Sequence, residues 1–168
     1  SAFICKGVMA VSTSSFMQEI ADYSLLLPAL ILWVYKRDND KDFLRFTFPY
    51  ITGVYEYFMQ YSQEDGLIEG VKEKWNLVDW PDNLRDGYNF PLTKPIGYGK
   101  HNVLNAFWIG FLKAYQDICE ILGEAVNIAI DNVEKSFINA FYNEEIGLYC
   151  DSTQKTHSAV HSNVLPLL

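Results

Sequence analysis

The chain has 168 residues, 49% of them hydrophobic, which is enough for one ordinary globular domain. Its formal net charge is −8, and basic residues never cluster beyond adjacent pairs. That balance excludes a nucleic-acid interface built on counterion replacement and disfavours anionic membranes and polyanionic substrates, leaving a neutral ligand as the better fit.

Aromatic residues make up 15% of the chain, as eleven Tyr, eleven Phe and four Trp. Most are expected in the core, because large aromatic side chains dominate core energetics. Flat rings also suit the C–H faces of sugars, so the composition is compatible with carbohydrate binding. Cys5, Cys119 and Cys150 are scattered and odd in number, which is neither a disulfide framework nor a metal spacing. They read as buried thiols, compatible with a reducing compartment such as the cytoplasm, and no metal or cofactor is expected. The longest apolar run, Leu25–Tyr35, is interrupted by Pro28 and falls short of the roughly 20 residues of a membrane span. It reads as a buried helix, and no secretory leader is expected at the start.

In chain order, residues 1–19 show no sustained period and are expected as a loop-like leader. Helix begins near Ile20, with Asp22 as a candidate N-cap. Leu25–Tyr35 is apolar on nearly every side, so protein is expected all round it. Pro28 belongs either in its first turn or at a kink. Asp38-Asn39-Asp40 is a turn signal. A second helix is expected from about Asp42, with Phe48, Ile51, Val54, Tyr55, Phe58 and Tyr61 on one apolar face. Pro49 fits the first turn after a break.

Residues 63–100 are rich in Gly and Pro and read as one long irregular loop, with short strands at 66–71 and 77–80. Loops this long in a compact domain are usually functional or disordered, and their Trp and Tyr content argues against disorder. Helix returns over His101–Leu122, apolar on almost all faces, and Gly123 ends it. A one-faced helix follows, with Val126, Ile130, Val133, Phe137 and Phe141 inward and Asp131, Glu134 and Lys135 outward. Glu145-Ile146-Gly147 makes a turn, Leu148–Asp151 is extended, and another helix starts near Ser158.

The order is buried helix, one-faced helix, long loop, and then the same again. The expected fold is all-α: helical hairpins forming part of an (α/α)6 toroid, with inner helices covered on all sides and outer ones on one. Residues 1–168 hold two hairpins and the opening of a third, so the chain is expected to be a single partial domain, the middle of such a ring. Two copies are expected to pair through barrel edges that missing hairpins would cover.

Three stretches carry a family resemblance. They are Ala21-Asp22-Tyr23-Ser24-Leu25-Leu26 leading to the Asp38–Asp40 turn; Trp75-Asn76-Leu77-Val78-Asp79-Trp80-Pro81 followed by Asn102-Val103-Leu104-Asn105-Ala106-Phe107; and Gly147–Ser152 with His157-Ser158-Ala159-Val160-His161-Ser162-Asn163. Together, over roughly residues 20–168, they resemble the six-hairpin domain of bacterial α-L-rhamnosidases. The resemblance implies hydrolysis of a terminal deoxy-sugar with inversion, one carboxylic acid protonating the leaving oxygen while a carboxylate activates water. It also implies a general acid upstream of the first stretch and a general base downstream of the third. No catalytic residue is then expected here, and the chain alone is expected to be inactive.

The substrate-binding candidates are Asp79, Trp80, Trp75, His157 and His161. An ionised Asp79 could bond two sugar hydroxyls, Trp80 could stack on a sugar face, and Trp75 could share the platform. Equally, Asp79 could cap a turn and Trp80 pack beneath the loop. His157 and His161, four apart, would share one helical face; without a further ligand that spacing is a poor metal signal, and in the resembled family the matching segment borders the pocket. His101 and Asn102, opening an inner helix, are lesser candidates. Asp82, Arg85 and Asp86 suit a turn better than a pocket rim, and Glu144 with Glu145 reads as a solvated turn. The alternative to a hydrolase part is a small non-catalytic carbohydrate-binding protein or a helical interaction module.

Overall fold

The computed structural model describes residues 3–5, 8–9, 20–71, 78, 82–84, 99–154 and 156–167. The described residues form an all-α fold with two small two-stranded hairpins. The first hairpin, β1 (Phe3–Cys5) with β2 (Val8–Met9), lies in the stretch expected as loop. It is tied to the first helix, since Met9 N donates to Ser24 Oγ at 3.1 Å.

Helix starts at Ala21, with Ile20 rather than Asp22 at the N-cap. The expected single helix is two: α1 (Ala21–Leu25) ends in a turn at Leu26, and α2 (Leu27–Asp38) carries Pro28 in its first turn. Pro28 has no N–H to offer, so the start of a new helix is where it costs least. Asn39 then adopts the left-handed conformation at φ 51°, and Asp40 caps α3 (Lys41–Met59) by accepting from the backbone N–H groups of Asp42 and Phe43. That two-residue link folds α3 back antiparallel on α2.

Pro49 does not begin a helix; it lies inside α3. Its ring leaves the Arg45 carbonyl without an intrahelical donor, a loss of about 3 kcal/mol in a helix interior. Both residues are exposed, so water can reach that carbonyl. The opposite face buries Leu44, Thr47, Ile51, Val54 and Phe58.

The central element is α4 (Asn102–Leu122), which packs on α1, α2, α3 and α5. Phe48 stacks on Tyr115 while Phe58 meets Trp108, so α3 and α4 run antiparallel. Since α2 is also antiparallel to α3, α2 and α4 are parallel neighbours. Gly123, at φ 75°, ends α4 in the left-handed conformation that glycine adopts without Cβ strain. After residues 123–129, α5 (Ile130–Phe141) returns with Val133, Phe137 and Phe141 buried. Val126 precedes this helix instead of lying in it. Outside, Lys113 of α4 pairs with Glu134 of α5 at 2.6 Å.

Strands β3 (Tyr142–Asn143) and β4 (Leu148–Tyr149) form the second hairpin, with Glu144 and Glu145 exposed in its turn as expected. The chain then reaches the beginning of α4, and α6 (Val160–Val164) starts there. Ala159 packs on Val103, and Leu165 lies with Ala106 and Gly110, so α6 runs alongside α4 in the same direction. The architecture is a layer of parallel helices α2, α4 and α6, backed by antiparallel α3 and α5.

Of the 63–100 stretch, the described part has no strand at 66–71, only a bridge between Ser62 and Ile68. Side chains hold this turn instead of a ladder. Asn105 accepts from Ile68 N at 2.7 Å and donates to Ile68 O at 3.0 Å, while Trp108 Nε1 donates to Gly66 O. Gly66 sits at φ 80°, and a Cβ there would come within 2.6 Å of Val133 Cγ2. Residues 77–80 lie outside the described set apart from Val78.

The largest departure concerns α2. It is not surrounded by described elements: Leu30 is 54% and Trp33 65% exposed, with Leu26 beside them. Its apolar stripe faces out, and the Arg37 guanidinium lies over the Trp33 ring at 5.9 Å. In α4 the expectation holds better. Trp108, Phe111 and Ile118 are buried, and the exposed positions form a stripe of Gly110, Lys113, Asp117 and Glu120.

Candidate functional site

The polar centre of the described structure is Asp151, which is 3% exposed. Its Oδ1 accepts from Ala159 N at 2.7 Å and from Ser162 Oγ at 2.6 Å. Its Oδ2 lies 2.6 Å from His157 Nδ1. Its backbone serves the same purpose: Asp151 O accepts from Asn102 N, the first residue of α4, and Asp151 N donates to His157 O. One aspartate therefore joins the start of α4, the start of α6 and the extended segment between. A buried carboxylate is tolerated when charge-assisted hydrogen bonds replace its water, and here they do.

Around it, His101 forms the N-cap of α4 and bridges to Ser152. Asn102 and Asn105 are fully buried. Asn163 fastens β4 to α6, accepting from Tyr149 N and donating to Ala159 O. Val78, from the Gly- and Pro-rich stretch, packs against Val103 and Ala159 at the same end of the layer.

The helix expected near Ser158 begins at Val160, and His157 precedes it. Residues 156–159, bonded to Asp151 through His157 and Ala159, lie outside regular structure, so His157 and His161 do not share a helical face. The side chain of His157 is half exposed, with its Nδ1 edge turned to Asp151. His161 is half-buried within α6. Asp79, Trp80 and Trp75 lie outside the described residues, as do Arg85 and Asp86; the backbone of Asp82 belongs to a short 3-10 turn, Asp82–Leu84. Asp151 was legible in the sequence as part of an extended segment and of the third resembling stretch, not as a site residue. Its spacing to His157 and Ser162 signals nothing until the chain turns back on itself.

Several hollows lie elsewhere among the described residues. A groove of about 450 Å³ runs between α2 and α4, lined by Leu26, Trp33, Phe107, Phe111 and Leu165 with Lys36 at its edge. A smaller cleft of about 260 Å³, behind α4, has Tyr55, Glu64, Asp65, Trp108 and Asn132 in its walls. At the latter, Lys100 is already paired with Asp65. Cys119 and Cys150 are buried free thiols, and the side chain of Cys5 lies outside the described set. Burial pushes the Cys119 thiol and the Tyr55 and Tyr115 hydroxyls above their ordinary values, as expected of packing groups. Among the described residues, no three His, Cys, Asp or Glu gather as a metal site would require. No described helix is long and apolar enough to cross a membrane.

No protein-family model and no curated protein matches the chain. A solved structure does: the crystal structure of a GH78 family rhamnosidase of Bacillus sp. GL1 is similar over 79% of this chain, with a TM-score of 0.56 and 17% sequence identity. The similarity covers 13% of that chain, so the present residues correspond to a small part of its length. At this identity the likeness is one of fold, and it relates the layered helices described above to a region of a glycoside hydrolase.

Proposed function

We propose that this chain is part of a six-hairpin glycoside hydrolase domain of the α-L-rhamnosidase kind, and that it supplies one wall of a pocket for a neutral saccharide. In this reading α2, α4 and α6 are inner helices of an (α/α)6 toroid, and α3 and α5 are outer ones. The observation that carries it is the convergence of α4 and α6 on Asp151, with Val78 packed at the same end. Asp79 and Trp80 follow Val78 directly in the chain. We assign them, with Trp75, to the sugar, and His157 and His161 to the border of the pocket. The fold likeness to a rhamnosidase supports the assignment.

The reaction of such a domain needs an acid on one side of the glycosidic bond and a base activating water on the other. Here the single buried carboxylate among the site residues, Asp151, is 3% exposed and engaged by Ala159 N, Ser162 Oγ and His157 Nδ1, which suits a structural role. Both groups of the acid/base pair are assigned to other parts of a longer protein. The exposed apolar stripe of α2 is then the surface on which a neighbouring hairpin of the ring rests.

The test is a pair of measurements on the 168-residue chain. Tryptophan fluorescence is expected to change saturably with L-rhamnose, and Trp80→Ala or Asp79→Asn is expected to weaken that response at least tenfold. No aryl rhamnoside is expected to be hydrolysed. Robust turnover abolished by Asp79→Asn would overturn the reading of an incomplete site. The bare face of α2 also suits a helical interaction module; saccharide would then leave both fluorescence and melting temperature unchanged.

A further inference from the structure

We propose that Asp151 is a positioning residue that fixes His157 as the Nδ1–H tautomer, so that Nε2 serves as a hydrogen-bond acceptor for a hydroxyl of the bound saccharide. The ligand part of this proposal rests on the saccharide-binding reading above; the tautomer part rests on geometry alone.

The two nitrogens of an imidazole are distinct, and the hydrogen bond made by one decides the protonation of the other. Here Nδ1 stands 2.6 Å from Oδ2 of a carboxylate. An ionised carboxylate offers only acceptors, so the proton between them belongs to Nδ1, and neutral His157 carries its lone pair on Nε2. The carboxylate cannot turn away. Its other oxygen is held by Ala159 N and Ser162 Oγ, and its main chain by Asn102 and His157 itself. The ring is thus held through a group anchored to two helix starts.

Asp151 is almost fully covered and His157 is not: their side chains are 5% and 50% exposed. A ligand at this end of the layer can therefore reach the imidazole and not the carboxylate. A neutral imidazole nitrogen accepts from an O–H without requiring charge on the ligand, which suits a polyhydroxylated neutral molecule. Charged ligands need a counter-charge, and the carboxylate beside the ring would repel an anion. Val78, which Asp79 and Trp80 follow directly in the sequence, packs at this end.

The experiment is long-range ¹H–¹⁵N NMR of the imidazole groups in the 168-residue chain in mildly alkaline buffer. Assignment comes from His157→Asn, whose amide can keep the bond to Asp151 while its shorter side chain places no acceptor at the position of Nε2. The expected result is an unprotonated Nε2 whose resonance moves when L-rhamnose is added, with His157→Asn folded and its saccharide affinity reduced about tenfold. Asp151→Asn, whose amide can donate to the ring, is expected to shift the proton to Nε2. A His157 protonated at Nε2 in the wild type would overturn the inference even where L-rhamnose quenches tryptophan fluorescence. A tautomer as proposed with Nε2 unmoved, while fluorescence reports binding, would overturn the role of His157 and leave the saccharide reading standing. Absence of any response to L-rhamnose by either method would overturn the saccharide reading and the ligand assigned to Nε2 with it.

Discussion

Trp33 and Trp108 sit on parallel, neighbouring helices of similar apolar content, yet one is 65% exposed and the other 1%. The difference lies in what covers each helix. Around α4 stand α1, α2, α3 and α5, and Trp108 is further pinned by its bond to Gly66 O. On α2, Leu26, Leu30 and Trp33 form a stripe with no described element over it. Apolar composition tells that a helix face belongs in contact with something; it does not tell whether the covering element lies within the same residues. On the proposed reading, α4 is an inner helix with both flanks present, and α2 is one with a flank missing.

The comparison breaks most easily at its two tryptophans. Trp108→Ala is expected to cost about 3–5 kcal/mol in chemical denaturation, the usual loss for a buried aromatic, while Trp33→Ala stays within about 0.5 kcal/mol. Equal losses would mean that α2 is covered after all. Next comes the shared starting point of α4 and α6. Asp151→Ala is expected to destabilise the chain by about 2–3 kcal/mol through lost charge-assisted hydrogen bonds, and to speed amide exchange at Ala159.

A smaller effect sharpens the contrast from the groove side. Gly110 faces the hollow between α2 and α4, and an added Cβ would touch nothing within 4 Å. Gly110→Ala is therefore expected to stabilise by roughly 0.5–1 kcal/mol, measured by urea unfolding, because alanine favours the helix and meets no neighbour. The smallest effect is one of pH. Cys119, Tyr55 and Tyr115 are held protonated by burial, so the unfolded chain ionises first. Their contribution is whole below the ordinary cysteine value of 9.0 and is lost as pH rises beyond it. Cys119→Ala is expected to flatten that decline without abolishing it.

Much of the helical frame was legible in the sequence because the signals are local. Asn39 and Asp40 act as cap and N-cap, Gly123 ends α4, and the spacing of Val133, Phe137 and Phe141 gives the buried face of α5. Pro49 misled because a proline reads as a break unless the carbonyl it orphans is known to face water. Leu25–Tyr35 misled because the break at Leu26 is set by Pro28, and because the cover of α2 cannot be read from α2. The site was less legible still. His157 has helical spacing to His161, but it precedes α6 and its ring meets the carboxylate of a residue six positions earlier. Asn105 resembled any polar position on an inner helix, yet its amide clamps Ile68 across 37 residues of chain. Such roles depend on long-range geometry and leave no periodic trace.

The central claim, that the stripe on α2 is an interior surface left bare, is tested most directly by sedimentation velocity of the 168-residue chain across micromolar concentrations. Concentration-dependent self-association is expected, and Leu30→Lys with Trp33→Lys is expected to yield a monomer of unchanged melting temperature. A wild-type chain that sediments as a monomer throughout, indistinguishable from the double variant, would contradict the account.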